Sequence, residues 1–261
     1  MSKKAVGLVL GGGATRGFAH IGVIKVLEEA EIPVDYVAGA SIGSVIGAAY
    51  CAGFGWREIE DHALRIKWRN LVKFHPCSRG LFLADKLESY LGRLIGGKQF
   101  TDLDIPLAVT AVDAQDGRQI VIDTGNVASA VRASCSVPGI FLPYEKNGSV
   151  LIDGGMRNSV PADVVRRMGA DFVIGVNLNG DRSRNRYPKN ALQLLKNTVN
   201  IIISNNSLTG LPLVDVLVEP DLREFKYGSL RKREKIIRRG EKAMAEALPE
   251  VFRHVEEEAG V

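Results

Sequence analysis

The sequence predicts an α/β fold in a single domain spanning residues 1–261. Three observations predict it. Apolar runs of strand length alternate with segments of helical periodicity. Many of the 28 glycines sit where those runs end, as loops of an α/β protein require. With 46% hydrophobic and 25% charged residues, the chain has the composition and length to bury one large core, which excludes disorder and coiled coil.

Residues 5–10, AVGLVL, form a continuous apolar run, as in a parallel strand buried on both faces. GGGATRG follows at 11–17, and Phe18, Ile21, Ile24 and Leu27 then recur every three residues. Strand, glycine loop and helix make an anion site, because backbone N–H groups and the helix dipole face the loop. The anion is a phosphate or a transient oxyanion. The apolar run is too short for a secretory signal, so it reads as the first strand.

After Pro33, residues 34–39 read as a second strand that runs into Gly39-Ala40-Ser41-Ile42-Gly43. That Gly-x-Ser-x-Gly spacing is a nucleophile elbow, and the small residues Val45, Ile46, Ala48, Ala49 and Cys51 supply the helix that must follow it. Residues 54–105 are less regular, with helix signals at 57–67 and 84–95, and read as an insertion that partly covers the site. Residues 107–111 and 119–123 are strands around a turn at Asp116-Gly117. A helix at 128–133 leads into the proline-broken loop 134–143, which is either a wall for an apolar substrate or a buried crossover.

Residues 150–153 form another apolar strand and deliver Asp153 into Gly154-Gly155, which makes Asp153 the candidate partner of Ser41. Asp113 and Asp123 also end strands but lack the glycine pair. A helix after Pro161, a strand at 172–176, a helix at 190–204 and a strand at 214–218 follow. An amphipathic helix with Ile236, Ile237, Gly240, Ala243, Met244 and Ala247 closes the chain. A Ser-His-Asp triad in hydrolase order needs a histidine after the acid. Only His254 follows Asp153, in a charged helix, and His20 reads as a core residue of the first helix.

The net charge is +4 and unevenly spread. Residues 231–239 hold six basic residues, and Arg182, Arg184, Arg186 and Lys189 form a second cluster. These are solvated surfaces or sites that attract anionic lipid; no nucleic-acid partner is expected. Cys51, Cys77 and Cys135 lack disulfide or zinc spacing, which fits a reducing, cytoplasmic setting. No run reaches the ~18 apolar residues of a membrane span.

Taken together, LGGGATRGFAHIGVIKVLEE, VAGASIGSVIGAAY, ASCSVPGIFLP and Asp153-Gly154-Gly155 resemble the segments of the patatin-like phospholipase family, in the family's order. The resemblance implies a three-layer α/β/α fold with a central, mainly parallel sheet, and a Ser-Asp dyad without histidine, metal or cofactor. Ser41 would attack an ester carbonyl, and Asp153 would orient the hydroxyl and take its proton. An oxyanion hole would come from among Gly12, Gly13 and Ala14. Gly39, Gly43, Gly154 and Gly155 would support the turns, while Arg16 would pin the loop or meet a lipid phosphate.

The implied substrate is a phospholipid or lysophospholipid, reached by peripheral contact with an anionic membrane. One departure stands out: Ala14 occupies the second glycine of the family's Gly-x-Gly-x-x-Gly loop, which is compatible with a donor role if its φ is negative. Burial should also raise the pKa of Asp153, since an ordinary aspartate is a weak base for a serine hydroxyl. The competing readings are a dinucleotide-type phosphate module using Asp35 or Glu31, an acyltransferase sharing the elbow, and a catalytically silent lipid-binding protein.

Overall fold

A computed structural model of the chain describes residues 4–77, 79–146, 148–180, 187–225 and 230–256. The expected cluster at Arg182, Arg184 and Arg186 lies outside the described residues. Strand β1 (Val6–Leu10) leads through the glycine loop and a 3-10 turn (Ala14–Phe18) into α1 (Ala19–Glu29). Strand β2 (Tyr36–Ala40) passes through Ser41 into α2 (Ile42–Cys51). Next come α3 (Trp56–Arg65), α4 (Trp68–Leu71), a separate hairpin of β3 (Lys73–Cys77) and β4 (Gly80–Leu83), and α5 (Asp85–Leu94). Strands β5 (Leu107–Asp113) and β6 (Gln119–Ile122) precede α6 (Val127–Ser134), β7 (Tyr144–Lys146) and β8 (Ser149–Asp153). The chain ends with α7 (Ala162–Met168), β9 (Phe172–Val176), α8 (Ala191–Asn206), β10 (Val216–Val218) and α9 (Arg233–Glu256).

The main sheet runs β10-β9-β1-β2-β5, all parallel, and continues with antiparallel β6, β8 and β7. Side chains alternate across it, as the period of two dictates. Leu8, Leu10 and Val37 pack with Ile21, Ile24, Ile46 and Met244 of α1, α2 and α9. Val9, Ala38 and Ala108 point the other way, onto Val164 and Val165 of α7. Helices thus cover both faces, the three-layer arrangement the sequence leads one to expect.

Strand β8 is one of the antiparallel members of the sheet. The sequence leaves its direction open, and it runs antiparallel to β5. The pairing explains how Asp153 arrives. β6 takes one edge of β5; the other is shared by β2, which pairs up to Ala40↔Thr110, and β8, which begins at Asp153↔Ala111. Asp153 is therefore stacked next in line after Ala40, beside the residue that follows it, Ser41.

Candidate active site

Ser41 sits at the sharp turn between β2 and α2 with φ 52° and ψ −124°. A non-glycine residue held at positive φ costs on the order of 1–3 kcal/mol, so its surroundings must fix it. They do so with hydrogen bonds: the Ser41 N–H donates to Ser134 Oγ at 2.8 Å, and Ser44 Oγ donates to the Ser41 carbonyl at 2.6 Å. The elbow glycines are demanded by close approach. A Cβ on Gly39 would lie 2.6 Å from the Ser44 nitrogen, and one on Gly43 would collide with the Leu10 carbonyl.

Asp153 is fully buried. Its N–H donates to the Ser136 carbonyl at 3.0 Å, and its Oδ1 accepts the Gly155 N–H at 2.8 Å. Among the described residues Oδ2 has no formed hydrogen bond, although the Ser41 hydroxyl lies near enough to favour the ionised carboxylate. Burial outweighs that help and the Gly155 N–H, and it pushes Asp153 up to about 6. The site therefore holds a carboxyl with raised proton affinity beside a strained serine.

The glycine loop distinguishes its three candidate N–H groups by the partners they already hold. The Gly12 N–H donates to the Ser159 carbonyl at 3.0 Å, and the Gly12 carbonyl accepts Asn179 Nδ2 at 2.8 Å. The Gly12 N–H is thus used internally and drops out as an oxyanion donor. The N–H groups of Gly13 and Ala14 have no partner among the described residues. Ala14 does not meet the condition of negative φ: it sits at φ 49°, a left-handed conformation that costs an alanine about 1 kcal/mol, yet its N–H is still unpartnered among the described residues and so stays open to a donor role. Gly13 is pressed against Leu178, where a Cβ would stand 2.8 Å from a methyl carbon.

Of the two roles open to Arg16, the structure gives pinning. The side chain is buried and donates to the carbonyls of Phe225 (3.3 Å), Leu178 (3.3 Å) and Leu222 (3.1 Å), tying the loop to the C-terminal third. His20 is the core histidine expected: its Nε2–H donates to the Gly11 carbonyl at 2.8 Å, and burial lowers it to about 4. His254 stacks on Phe172, at the far end of the sheet from Ser41. Asp113 closes its own turn by accepting the Gln115 N–H at 2.9 Å, and Asp123 is exposed. Asp35, one acid of the dinucleotide reading, instead accepts the Val6 N–H at 2.7 Å at the amino end of the sheet.

Beside Ser41 opens a cavity of about 170 Å³. Its walls include Val45 and Ala49 of α2, Ile59 of α3, Leu87 and Leu91 of α5, and Phe141. Tyr90 and His62, 3.4 Å apart, are its main polar side chains besides Ser41 and Thr15. Within the loop 134–143, Val137 and Phe141 line the cavity, while Ser134 and Ser136 brace the elbow and Asp153. Sequence reading missed Ser134, Ser159 and Asn179, because each acts through a tertiary hydrogen bond that leaves no spacing signature. The serines could have been flagged only by their apolar settings.

The patatin-like phospholipase family model matches residues 8–166. An uncharacterized NTE family protein of Mycobacterium tuberculosis is 32% identical over 185 residues, covering 70% of this chain and 51% of that protein. The human patatin-like phospholipase domain-containing protein 6 is 35% identical over 189 residues, covering 68% of this chain and 14% of that protein. Lysophospholipase NTE1 of Yarrowia lipolytica is 30% identical over 184 residues, covering 68% and 13%. The chain thus spans about half the length, or less, of these curated relatives. Among solved structures, VipD of Legionella pneumophila superposes with a TM-score of 0.58 at 13% identity, covering 96% of this chain and 67% of that one. The type III effector protein ExoU gives 0.54 at 12%, covering 95% and 53%. At such identities the likeness is one of fold.

Proposed function

The chain belongs to the patatin-like phospholipase family, and from that premise we propose that it is a serine acyl hydrolase acting on phospholipid or lysophospholipid esters through a Ser41–Asp153 dyad. The reading rests on one observation above all: a buried carboxyl oxygen of Asp153 without a formed hydrogen bond, beside a serine held at positive φ.

Ser41 Oγ attacks the ester carbonyl carbon as Asp153 takes its proton. The carbonyl oxygen, now negative, is met by the N–H groups of Gly13 and Ala14. Collapse expels the lysolipid or glycerol oxygen, which receives the proton from Asp153 and leaves an acyl-serine. Water then attacks the acyl-serine carbonyl, giving its proton to Asp153; collapse expels Ser41 Oγ, which takes that proton back as the fatty acid is released. A carboxyl near 6 suits both halves, since it is ionised at neutral pH yet binds the serine proton more tightly than an ordinary aspartate.

The apolar cavity next to Ser41 is where an acyl chain would lie, and residues 54–105 would serve as the cap of a single domain, since α3 and α5 wall that cavity. Among the described residues no helix is long and apolar enough to cross a membrane. We read the contact with lipid as peripheral, through basic surface such as residues 231–239. The unpaired cysteines fit a cytoplasmic setting. The test is hydrolysis of a short-chain nitrophenyl ester and of lysophospholipid by the wild type and by Ser41→Ala. The variant should be inactive on both, and full activity would end the proposal.

A further inference from the structure

The apolar surface beside the site extends beyond what the chemistry uses. Helix α8 carries a single charged residue, Lys196, in its 16 residues, and only Val199 is buried. Leu194 and Ile201 are 55% and 51% exposed and stand seven positions apart, on one face of the helix. A water-facing helix normally presents charge there. α8 is seated against the catalytic segment: Ile203 borders Gly155, and Asn206 Nδ2 donates to the Met156 carbonyl at 2.6 Å. Its Leu195 closes against Gly139 in the loop 134–143.

A second exposed apolar feature, on another element, reaches the same loop through an intervening ring. Phe74, 67% exposed on the β3–β4 hairpin, packs edge-on against Phe82 at 5.6 Å, and Phe82 packs against Phe141 at 6.3 Å. Phe141 is a wall of the cavity. The loop that closes the acyl cavity is therefore flanked by two exposed apolar features.

We infer that Phe74 and the Leu194–Ile201 face of α8 form a rim that rests on a phospholipid bilayer, with the loop 134–143 between them as the passage for an acyl chain. This rests on the acyl-hydrolase reading above. Two features favour lipid as the occupant. Neither α8 nor β3 carries a carboxylate, while Lys73 adjoins Phe74 and Lys196 lies on α8, so the charge complements phosphate headgroups. The rim also borders the cavity, so an acyl chain could leave the bilayer without exposing its length to water.

The experiment is flotation with vesicles of equal parts phosphatidylcholine and phosphatidylglycerol, comparing the wild type with Phe74→Glu, Leu194→Glu and Ile201→Glu. Each variant should lower vesicle binding about tenfold and slow hydrolysis of vesicle phospholipid in parallel. Each should hydrolyse a soluble nitrophenyl ester at the wild-type rate, which also certifies folding. Ser41→Ala should float as the wild type does, so a failed rim and a failed dyad give different results. Wild-type protein that does not float, or charged variants that float equally, overturns the inference. So does a dimer in sedimentation velocity that the variants dissolve without affecting flotation, since the face would then belong to a second copy.

Discussion

Replacing Asp153 with asparagine should lower activity by orders of magnitude and, at neutral pH, make the protein more stable. Asparagine keeps the shape and an oxygen for the Gly155 N–H, and it removes only the buried charge. The carboxyl rises from 3.8 to about 6 on burial, and a shift of that size is worth about 3 kcal/mol. Because the folded pKa lies above the unfolded one, the folded state holds the proton more tightly. This group therefore costs wild-type stability progressively as pH climbs from about 4 to 6, and fully above that.

His20 works in the opposite sense. Its pKa falls from 6.5 to about 4 on folding, so it contributes stability present above about 6.5 and lost as pH falls toward 4. In the wild type the two slopes nearly cancel, whereas Asp153→Asn leaves the His20 slope alone. Urea denaturation should find the variant about 3 kcal/mol more stable at pH 7.5 and within about 1 kcal/mol of wild type at pH 4. Its kcat should fall on the order of 10³–10⁴. A variant less stable than wild type at pH 7.5, or a difference independent of pH, would refute the buried-charge reasoning.

Wild-type kcat/KM should rise with pH through about 6 and then level off, because the base works only when Asp153 is ionised; a profile flat from pH 5 to 8 contradicts this. Asn179→Leu removes the donor that fixes the Gly12 carbonyl, and with it the aim of the Gly13 and Ala14 N–H groups. Steady-state kinetics should show kcat down about 10- to 100-fold with KM unchanged, and a loss confined to thermal stability would remove Asn179 from the account. Val45→Trp would fill the cavity beside Ser41. Long-chain esters should then lose on the order of tenfold in kcat/KM while the shortest are spared, and an unchanged chain-length preference would place the acyl chain elsewhere.

Most of the fold was legible because its parts signal locally. The run from Val6 to Leu10 and the small residues around Ser41 carry their burial in their composition, and α2 follows the elbow as the spacing requires. The hairpin of β3 and β4 was not legible: its strands are short, Pro76 interrupts one, and β3 is exposed throughout. The direction of β8 was hidden too, since an apolar run does not say which way it pairs.

At the candidate site, the proximity of Ser41 and Asp153 follows from segments the sequence marks, whereas peptide orientation carries no such mark. Gly12 and Gly13 read alike in the sequence, yet the Ser159 carbonyl takes the N–H of Gly12, leaving that of Gly13 unpartnered among the described residues. Ser159 lies more than 140 positions away in the chain, beyond the reach of any local pattern. The positive φ of Ala14, on which its donor role was made to depend, could not be read either, and again only the packed loop, held by Arg16 and His20, determines it.

Covalent labelling of the folded protein with a fluorophosphonate, followed by peptide mass spectrometry, tests the dyad most directly. The account predicts a phosphonyl adduct on Ser41, formed more slowly in Asp153→Asn and absent in Ser41→Ala. An adduct on another residue, in a Ser41→Ala protein that still hydrolyses lysophospholipid, would contradict it.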